Sequence, residues 1–484
     1  MEDRIEDGFM SVFPSFQLQD SECDLLLDGI LHVLDQAGLL IQDMDLLQEL
    51  SRRGAKIEQG SERAWLPQDL LHEVIGEQKD HNESIFCPTR QNPIPSTPSI
   101  GVSIAQFFYD LDRVGARSPN REDFLHTLRF QDVYHPQHGA SHALLLRDVP
   151  PRLETIEAVS LILRHAQHPG FSYVHYGEQV PFLAEIGELW FDDRKRFLNS
   201  GIFASTPLRF DRRACGVLKS LVKEGIHPGI GSMVISGASA PITPAGAVVV
   251  GAAEILAGWV LLHILEVPPP YHGGIASGSM NMKTGSVSFG SVESMLQDLM
   301  VRNLFQKRLG GHVGISGGAN YTDAKHPGLQ AAYERCMEAH WICMETGTIP
   351  PVGSGLLDSG KTLSLEQFLL DDEVCRMHSR IAQGVPVSEE TLALEEIFQI
   401  GPGLSGNHME TDHTLKHCRE SWDPLLLDNI SCSIGKNTLG DENILRKAHR
   451  MVQEVVARYR PPDLDHTKVQ ELDRILFHAR QTLS

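Results

Sequence analysis

The stretch Pro228–Gly274, PGIGSMVISGASAPITPAGAVVVGAAEILAGWVLLHILEVPPPYHGG, decides the fold. Its first part, PGIGSMVIS, is short, apolar and β-branched, which reads as a buried strand. Thr243 then stands as an N-cap with Pro244 in the first helical position. The helix that follows is apolar almost all round, so it belongs inside the protein rather than on its surface. Gly246–Leu265 is long enough to cross a bilayer, but Glu254 lies in its middle. A charge at mid-bilayer costs about 3 kcal/mol, and the stretch is read as a buried helix. PPPYHGG opens the next strand, which completes a strand–helix–strand unit.

The same rhythm extends in both directions. FSYVHY at 171–176 and GIFAS at 201–205 read as strands, and GHVGISGG at 311–318 as another. Helical patterns lie at REDFLHTLRFQDV, RLETIEAVSLILRHAQH, Val180 to Phe197, RRACGVLKSLVKEG, SVESMLQDLMVRNLFQKRLG, PGLQAAYERCMEAHWICMETG and SLEQFLLDDEVCRMHSRIAQG. A strand is also expected at about 130. Alternation of this kind implies a parallel sheet with helices outside it. Roughly eight units fit between residues 120 and 400, so the expected fold is α/β, a (β/α)8 TIM barrel. No G-x-G-x-x-G follows the first strand, which counts against an open dinucleotide-binding sheet.

Residues 20–80 read as helices, and CPTRQNPIPSTPSIG then breaks the pattern with four prolines. The expected organisation is an N-terminal helical cap and linker at 1–115, the barrel at 116–400, and a helical C-terminal segment packed on it at 401–484. The formal net charge is −21. That excludes nonspecific binding to nucleic acid or to an anionic membrane surface. The 8 cysteines are scattered without a C-x-x-C, as in a reduced cytoplasmic chain. The start MEDRIEDGFM lacks the basic and apolar regions of a signal peptide.

Ligands in such barrels sit where strands run out into loops. VYHPQHGASH clusters His135, His138 and His142, which suits zinc or a substrate, although no carboxylate or cysteine completes a familiar spacing. The helix start at Thr243 offers free N–H groups to a carboxylate. Glu254 needs a partner, and an ion pair with a neighbouring helix is the plainer expectation over catalysis. His272 stands among small residues. ISGGANYTDAK brings together Ser316, Gly317, Gly318, Asn320, Tyr321, Asp323 and Lys325. GISGG matches G-x-S-x-G literally, but the helix starts too late for a nucleophile elbow. Lys325 approaches a helix, which does not suit a Schiff base. GSGLLDSGK supplies Gly355 and Asp358 without the P-loop pattern. HTLKHC lacks the Glu of a zincin.

Several blocks occur in a recognisable order: DLDRVGARSPNREDF, SGASAPITPAGAVVVGAAEILAG, MNMKTGSVSFGSVE, TDAKHPGLQAAYE, GSGLLDSGKTLSLEQFLLDDEV and HTLKHCRESWDPLLLD. Together they resemble the trimethylamine:corrinoid methyltransferase family. The resemblance implies a TIM barrel with an N-terminal helical addition. It also implies transfer of a methyl group from a methylated amine to Co(I) of a corrinoid. The chain itself would bind no cofactor, since a separate corrinoid-binding protein brings the cobalt. The family's pyrrolysine position falls in or near GANYTDAK, where this sequence has ordinary residues. It therefore looks like the branch similar to glycine betaine:corrinoid methyltransferases. The short glycine turn after PPVG and the three histidines depart from the family's blocks, which leaves other trimethylammonium compounds open as substrates.

Leaving-group chemistry agrees with that branch. A quaternary ammonium releases a neutral tertiary amine without a proton. A neutral tertiary amine would have to depart as a poor amide anion unless first protonated or captured. The protein then has only to orient, desolvate and complement charge. Aromatic faces suit an N(CH3)3+ head. The candidates are Phe107, Phe108, Tyr109, Asp110, Tyr321 and Asp323, with Asn320, His138 and His272 as further substrate contacts. Ser316, Gly317, Gly318, Gly355 and Asp358 are expected to face the corrinoid. No catalytic side chain and no metal ligand are assigned, and a homo-oligomer is expected. Two other readings stay open: a metal-dependent barrel hydrolase or lyase built on the histidines, and a quaternary-amine-binding relative without turnover.

Overall fold

The computed structural model describes residues 17–58, 60–81, 100, 103–113, 115–199, 201–315, 320–347, 352–402, 406–427 and 440–483. Three helices open it: α1 (Asp20–His32), α2 (Met44–Arg52) and α3 (Gln68–His81). Asp43 caps α2 by accepting the N–H groups of Asp45 and Leu46. A small sheet of Leu39–Ile41, Lys56–Ile57 and Arg63–Trp65 lies between them, and Arg209–Phe210 joins its edge.

The body is built from parallel strands and the helices that return between them. Among its strands are β1 (Phe107–Asp110), β2 (Gly201–Phe203), β3 (Gly229–Ser232), β4 (His272–Ile275) and β5 (His312–Ile315). Strands β2 to β5 pair in parallel in chain order. Single parallel bridges extend the series backwards through Tyr173–Asn199, Ala140–Pro169 and Ala105–Leu144. At the other end Thr362 and Leu363 pair in parallel with Phe107 and Phe108 of β1. Among the described residues no strand pairing joins β5 to the segment at 352–357, so the series is seen open at that seam.

The intervening helices are α4 (Arg121–Tyr134), α5 (Pro151–His165), α6 (Val180–Phe191), α7 (Arg212–Lys223), α8 (Pro244–Ile264), α9 (Val292–Leu304), α10 (Leu329–Thr346) and α11 (Leu365–Gln383). Helix α8 is the apolar one read from the sequence. It is long and apolar enough to cross a membrane, yet it is mostly buried inside the protein. Its glycines explain how closely it docks, since a Cβ at Gly258 would collide with Ile230 of β3. Helices α12 (Gly440–Ala457) and α13 (His466–Leu483) close the chain, and α13 packs on α5 and α6.

One expected element is displaced. The strand expected at about 130 is helix: α4 runs through to Tyr134, capped by Asn120. The extended segment comes later, around Ala140–Leu144. The run is short and mixes Ser and His with Ala and Leu, so no alternation marked it.

Candidate functional site

Strand parity separates two faces of the parallel series. Ile230 meets α8, and a Cβ at Gly273 would meet Ile255 of α8, so these residues point to the helices. Their neighbours point the other way. Residues paired side by side share a face, so Tyr173, Gly201, Phe203, Gly229, Gly231, His272, Gly274 and Gly314 lie together on the helix-free side.

This inner face is hollow. Barrel interiors are normally filled by bulky branched side chains. Here a Cβ at Gly229 or Gly274 would meet nothing nearer than a backbone oxygen at 4.0 Å, and at Gly314 one at 3.8 Å. Phe203 occupies part of the space. Its ring covers Gly231, where a Cβ would come within 2.5 Å of it. Although it belongs to a strand, Phe203 remains 44% exposed. Tyr173 stacks edge-on against Phe171 at 5.6 Å, and Phe289 against Tyr321 at 5.5 Å. Burial, with the nearby Tyr321 as a lesser cause, pushes the Tyr173 phenol up to about 12. The two tyrosines therefore stay neutral together near one end of the series.

Buried carboxylates hold the loops that leave the strands. Glu154 accepts the Leu146 N–H at 2.9 Å, Asp298 that of Ser277 at 2.8 Å and Asp371 that of Gly355 at 2.8 Å. Glu334 accepts the Asp323 N–H at 2.9 Å and also the Thr322 hydroxyl. Glu254 accepts from Leu208 N–H at 2.7 Å, Thr206 Oγ1 at 3.0 Å and Ser232 Oγ at 2.6 Å. Its partners are thus hydroxyls and backbone rather than the expected ion pair. In each case an acid on a helix fixes backbone at a strand end, as preorganised sites require. Burial raises Asp298 to about 7 and Asp371 to about 6, and raises Glu254 as well.

The sequence candidates fall into distinct environments. Tyr321 and Asp323 share the loop after β5. Asp323 accepts from the Ser288 hydroxyl and from Phe289 N–H at 3.2 Å, so its carboxylate is tied to the neighbouring hairpin. Asn320 is buried beside them. Ser316, Gly317 and Gly318 lie outside the described residues. Tyr109 is buried, and its hydroxyl is 3.0 Å from His326 Nδ1. Asp110 is held by Arg117 at 2.9 Å, and Arg117 also grips Asp123. Gly355 is buried in a turn, whereas Asp358 pairs with Lys325 nearer the surface. His272 faces the hollow side from the first residue of β4, two residues before the level of Phe203.

The three clustered histidines do not converge on a metal geometry. His135 and His138 precede the strand at 140–144, on the opposite end from its outgoing loop. His135 Nε2 faces Asp372 Oδ1 at 3.9 Å. His142 is buried, with Nε2–H donating to Glu154 at 3.0 Å and Nδ1 3.0 Å from Ser172 Oγ. No triple of donors including these residues lies close together among the described residues. Sequence reading missed Phe203, Tyr173, Phe289 and the bracing acids other than Glu254, whose partners it misassigned. Only the G-I-G, H-G-G and V-G-I runs hinted at a glycine-lined face.

Comparison with known proteins finds methyltransferases among the relatives of this chain. A glycine betaine methyltransferase from Desulfitobacterium hafniense is 25% identical over 464 residues, covering 93% of this chain and 94% of that protein. A trimethylamine methyltransferase from another strain of that species is 25% identical, covering 92% and 90%. The Methanosarcina barkeri monomethylamine methyltransferase structure aligns with a TM-score of 0.43 at 12% identity, over 91% of this chain and 89% of that one. The family model described as trimethylamine methyltransferase (MTTB) matches residues 8–483, and the chain belongs to that family.

Proposed function

We propose that this amine methyltransferase takes a methyl group from a quaternary trimethylammonium compound of the betaine type and delivers it to Co(I) of a corrinoid carried by a partner protein. The observation that carries this reading is the glycine-lined hollow with aromatic rings beside it. Absent side chains at Gly229, Gly274 and Gly314 leave room for a guest within the fold. Closure of the parallel series into a (β/α)8 barrel completes the enclosure in this proposal.

Co(I), when presented, supplies the nucleophile. The chain's own residues bind and orient the amine and exclude water. Phe203, Tyr173 and Tyr321 offer uncharged π faces to the N(CH3)3+ head, worth about 2 kcal/mol each when desolvated. Asp323, the acid on the same loop as Tyr321, is already engaged by Ser288 and Phe289. That arrangement suits the reaction, because the cation loses its charge as the methyl departs. A full counter-charge would favour the ground state over the transition state. The reaction belongs in the cytoplasm, where corrinoids are kept reduced.

The test is direct. The protein is mixed anaerobically with Co(I) cobalamin and a panel of glycine betaine, carnitine, proline betaine, choline and trimethylamine, and the cobalamin spectrum is followed. At least one quaternary amine should methylate cobalt while trimethylamine does not. Turnover of trimethylamine alone would overturn the leaving-group argument.

A further inference from the structure

We propose that Glu73, Glu77 and His263 form a divalent-cation site of the zinc class that clamps the N-terminal helices to the body. Glu73 and Glu77 lie one turn apart on α3, so their side chains share a face. His263 lies in the last turn of α8 and is only 9% exposed, while the two glutamates keep a path to solvent. One donor atom from each residue lies within 4.8 Å of the others.

The imidazole is oriented as a ligand. His263 Nδ1 is 3.0 Å from Glu77 Oε2, close enough to donate its proton there. That leaves the lone pair on Nε2, which is buried and makes no hydrogen bond. Nε2 lies 3.6 Å from Glu73 Oε1. This is too long for a hydrogen bond. It is close to the span of about 3.4 Å between two ligands of a tetrahedral zinc with bonds of about 2.0–2.1 Å. A carboxylate fixing the far nitrogen of a metal-bound histidine is the usual supporting arrangement. Glu73 and the His263 imidazole would then be the protein ligands, with Glu77 as the supporting carboxylate and water completing the shell.

The location assigns a structural role. Gln78, next to Glu77, accepts the Tyr271 N–H at 2.7 Å and donates to Gly310 O at 3.1 Å. Tyr271 and Gly310 lead into β4 and β5, so the cluster sits at the N-terminal end of the strands. Residues at that end of such folds serve stability rather than chemistry. A cation here would join α3 to the most buried helix of the protein. Without one, a protonated His263 bridging both carboxylates is the competing arrangement.

The experiment uses the full chain stripped by a chelator, titrated with zinc chloride against a chromophoric competitor, with melting followed in parallel. The expected result is one tight equivalent and a higher melting temperature. Glu73→Gln, at a half-exposed position, should weaken that equivalent by about tenfold or more and remove the melting shift without unfolding the protein. His263→Gln should do the same. Zinc held equally by the wild type and Glu73→Gln overturns the proposal, as does a wild type that neither binds zinc nor gains stability from it.

Discussion

The ring of Tyr321 lies against the α-carbon of Gly360, so close that a Cβ there would overlap it. Gly360 also has φ +84°, in the left-handed region. It ends a turn in which Gly353, Ser354, Gly355, Asp358 and Ser359 take positive φ as well. Asp358 and Ser359 donate their N–H groups to Ala324 and Thr322 at 2.8 Å, which ties this turn to the loop carrying Tyr321. Non-glycine residues held in that region cost on the order of 1–3 kcal/mol each. The tie between the two loops offsets that strain and sets the Tyr321 ring against the hollow.

Gly360→Ala should therefore act through Tyr321. The ring must move, and the expected outcome is a rise in KM for the quaternary amine together with a lower melting temperature. Tyr321→Phe keeps the ring and should leave KM nearly unchanged. Tyr321→Ala should raise it by roughly thirtyfold, the loss of one desolvated cation–π contact of about 2 kcal/mol. Equal effects of Phe and Ala would assign the hydroxyl, and not the π face, to binding.

The hollow can be filled without touching any polar group. Gly274→Val places a branched side chain where only backbone lies within about 4 Å. Methyl transfer should fall by orders of magnitude while the melting temperature changes little. The control is Gly258→Val, which faces α8's contact with Ile230. That variant should be strongly destabilised, since overpacking a tight interface costs about 1–3 kcal/mol or more.

These residues mark where sequence reading succeeds and where it stops. The βαβ unit around α8 was legible because its unbroken apolar run, its length and the Thr243–Pro244 start agree locally, although the Thr243 side chain makes no capping hydrogen bond. The strand near 140–144 was not, because its neighbours bond it through single bridges and its residues carry no alternation. The glycines were visible, but their shared face was not. It depends on register between strands that are 28 to 43 residues apart, as in Gly201–Gly229 and Gly231–Gly274. The partners of the bracing acids were hidden for the same reason, since Glu254 and Leu208 are 46 residues apart. Histidines attracted attention as ligands, yet His142 is held by Ser172 and Glu154, both contacts that only the folded chain creates.

Glu254 gives a test of the bracing itself. Glu254→Ala strands the part-buried Leu208 N–H and Thr206 hydroxyl and the buried Ser232 hydroxyl, and a single orphaned buried donor costs about 1–3 kcal/mol. A clear loss of stability is expected, with a fall in turnover because the loop after Phe203 loses its support. Glu254→Gln keeps one acceptor oxygen and should recover much of both. If Glu254→Ala leaves melting and turnover unaltered, the carboxylate does not hold that loop.

Asp298 should make stability depend on pH in a direction opposite to that of most acids. It is 1% exposed, and burial raises it from 3.8 to about 7 despite the hydrogen bonds from Ser277. The folded chain therefore holds a proton there that the unfolded chain has already released above its ordinary value. Its contribution is fully present below about pH 4 and is lost as pH rises through about 7. Each pH unit within that window removes up to about 1.4 kcal/mol. Asp298→Asn is neutral throughout and keeps an oxygen for the Ser277 N–H. The variant should melt above the wild type at pH 8, and the gap should narrow or reverse at pH 5. Parallel melting curves for the two proteins across this range would show that Asp298 is already ionised in the folded state.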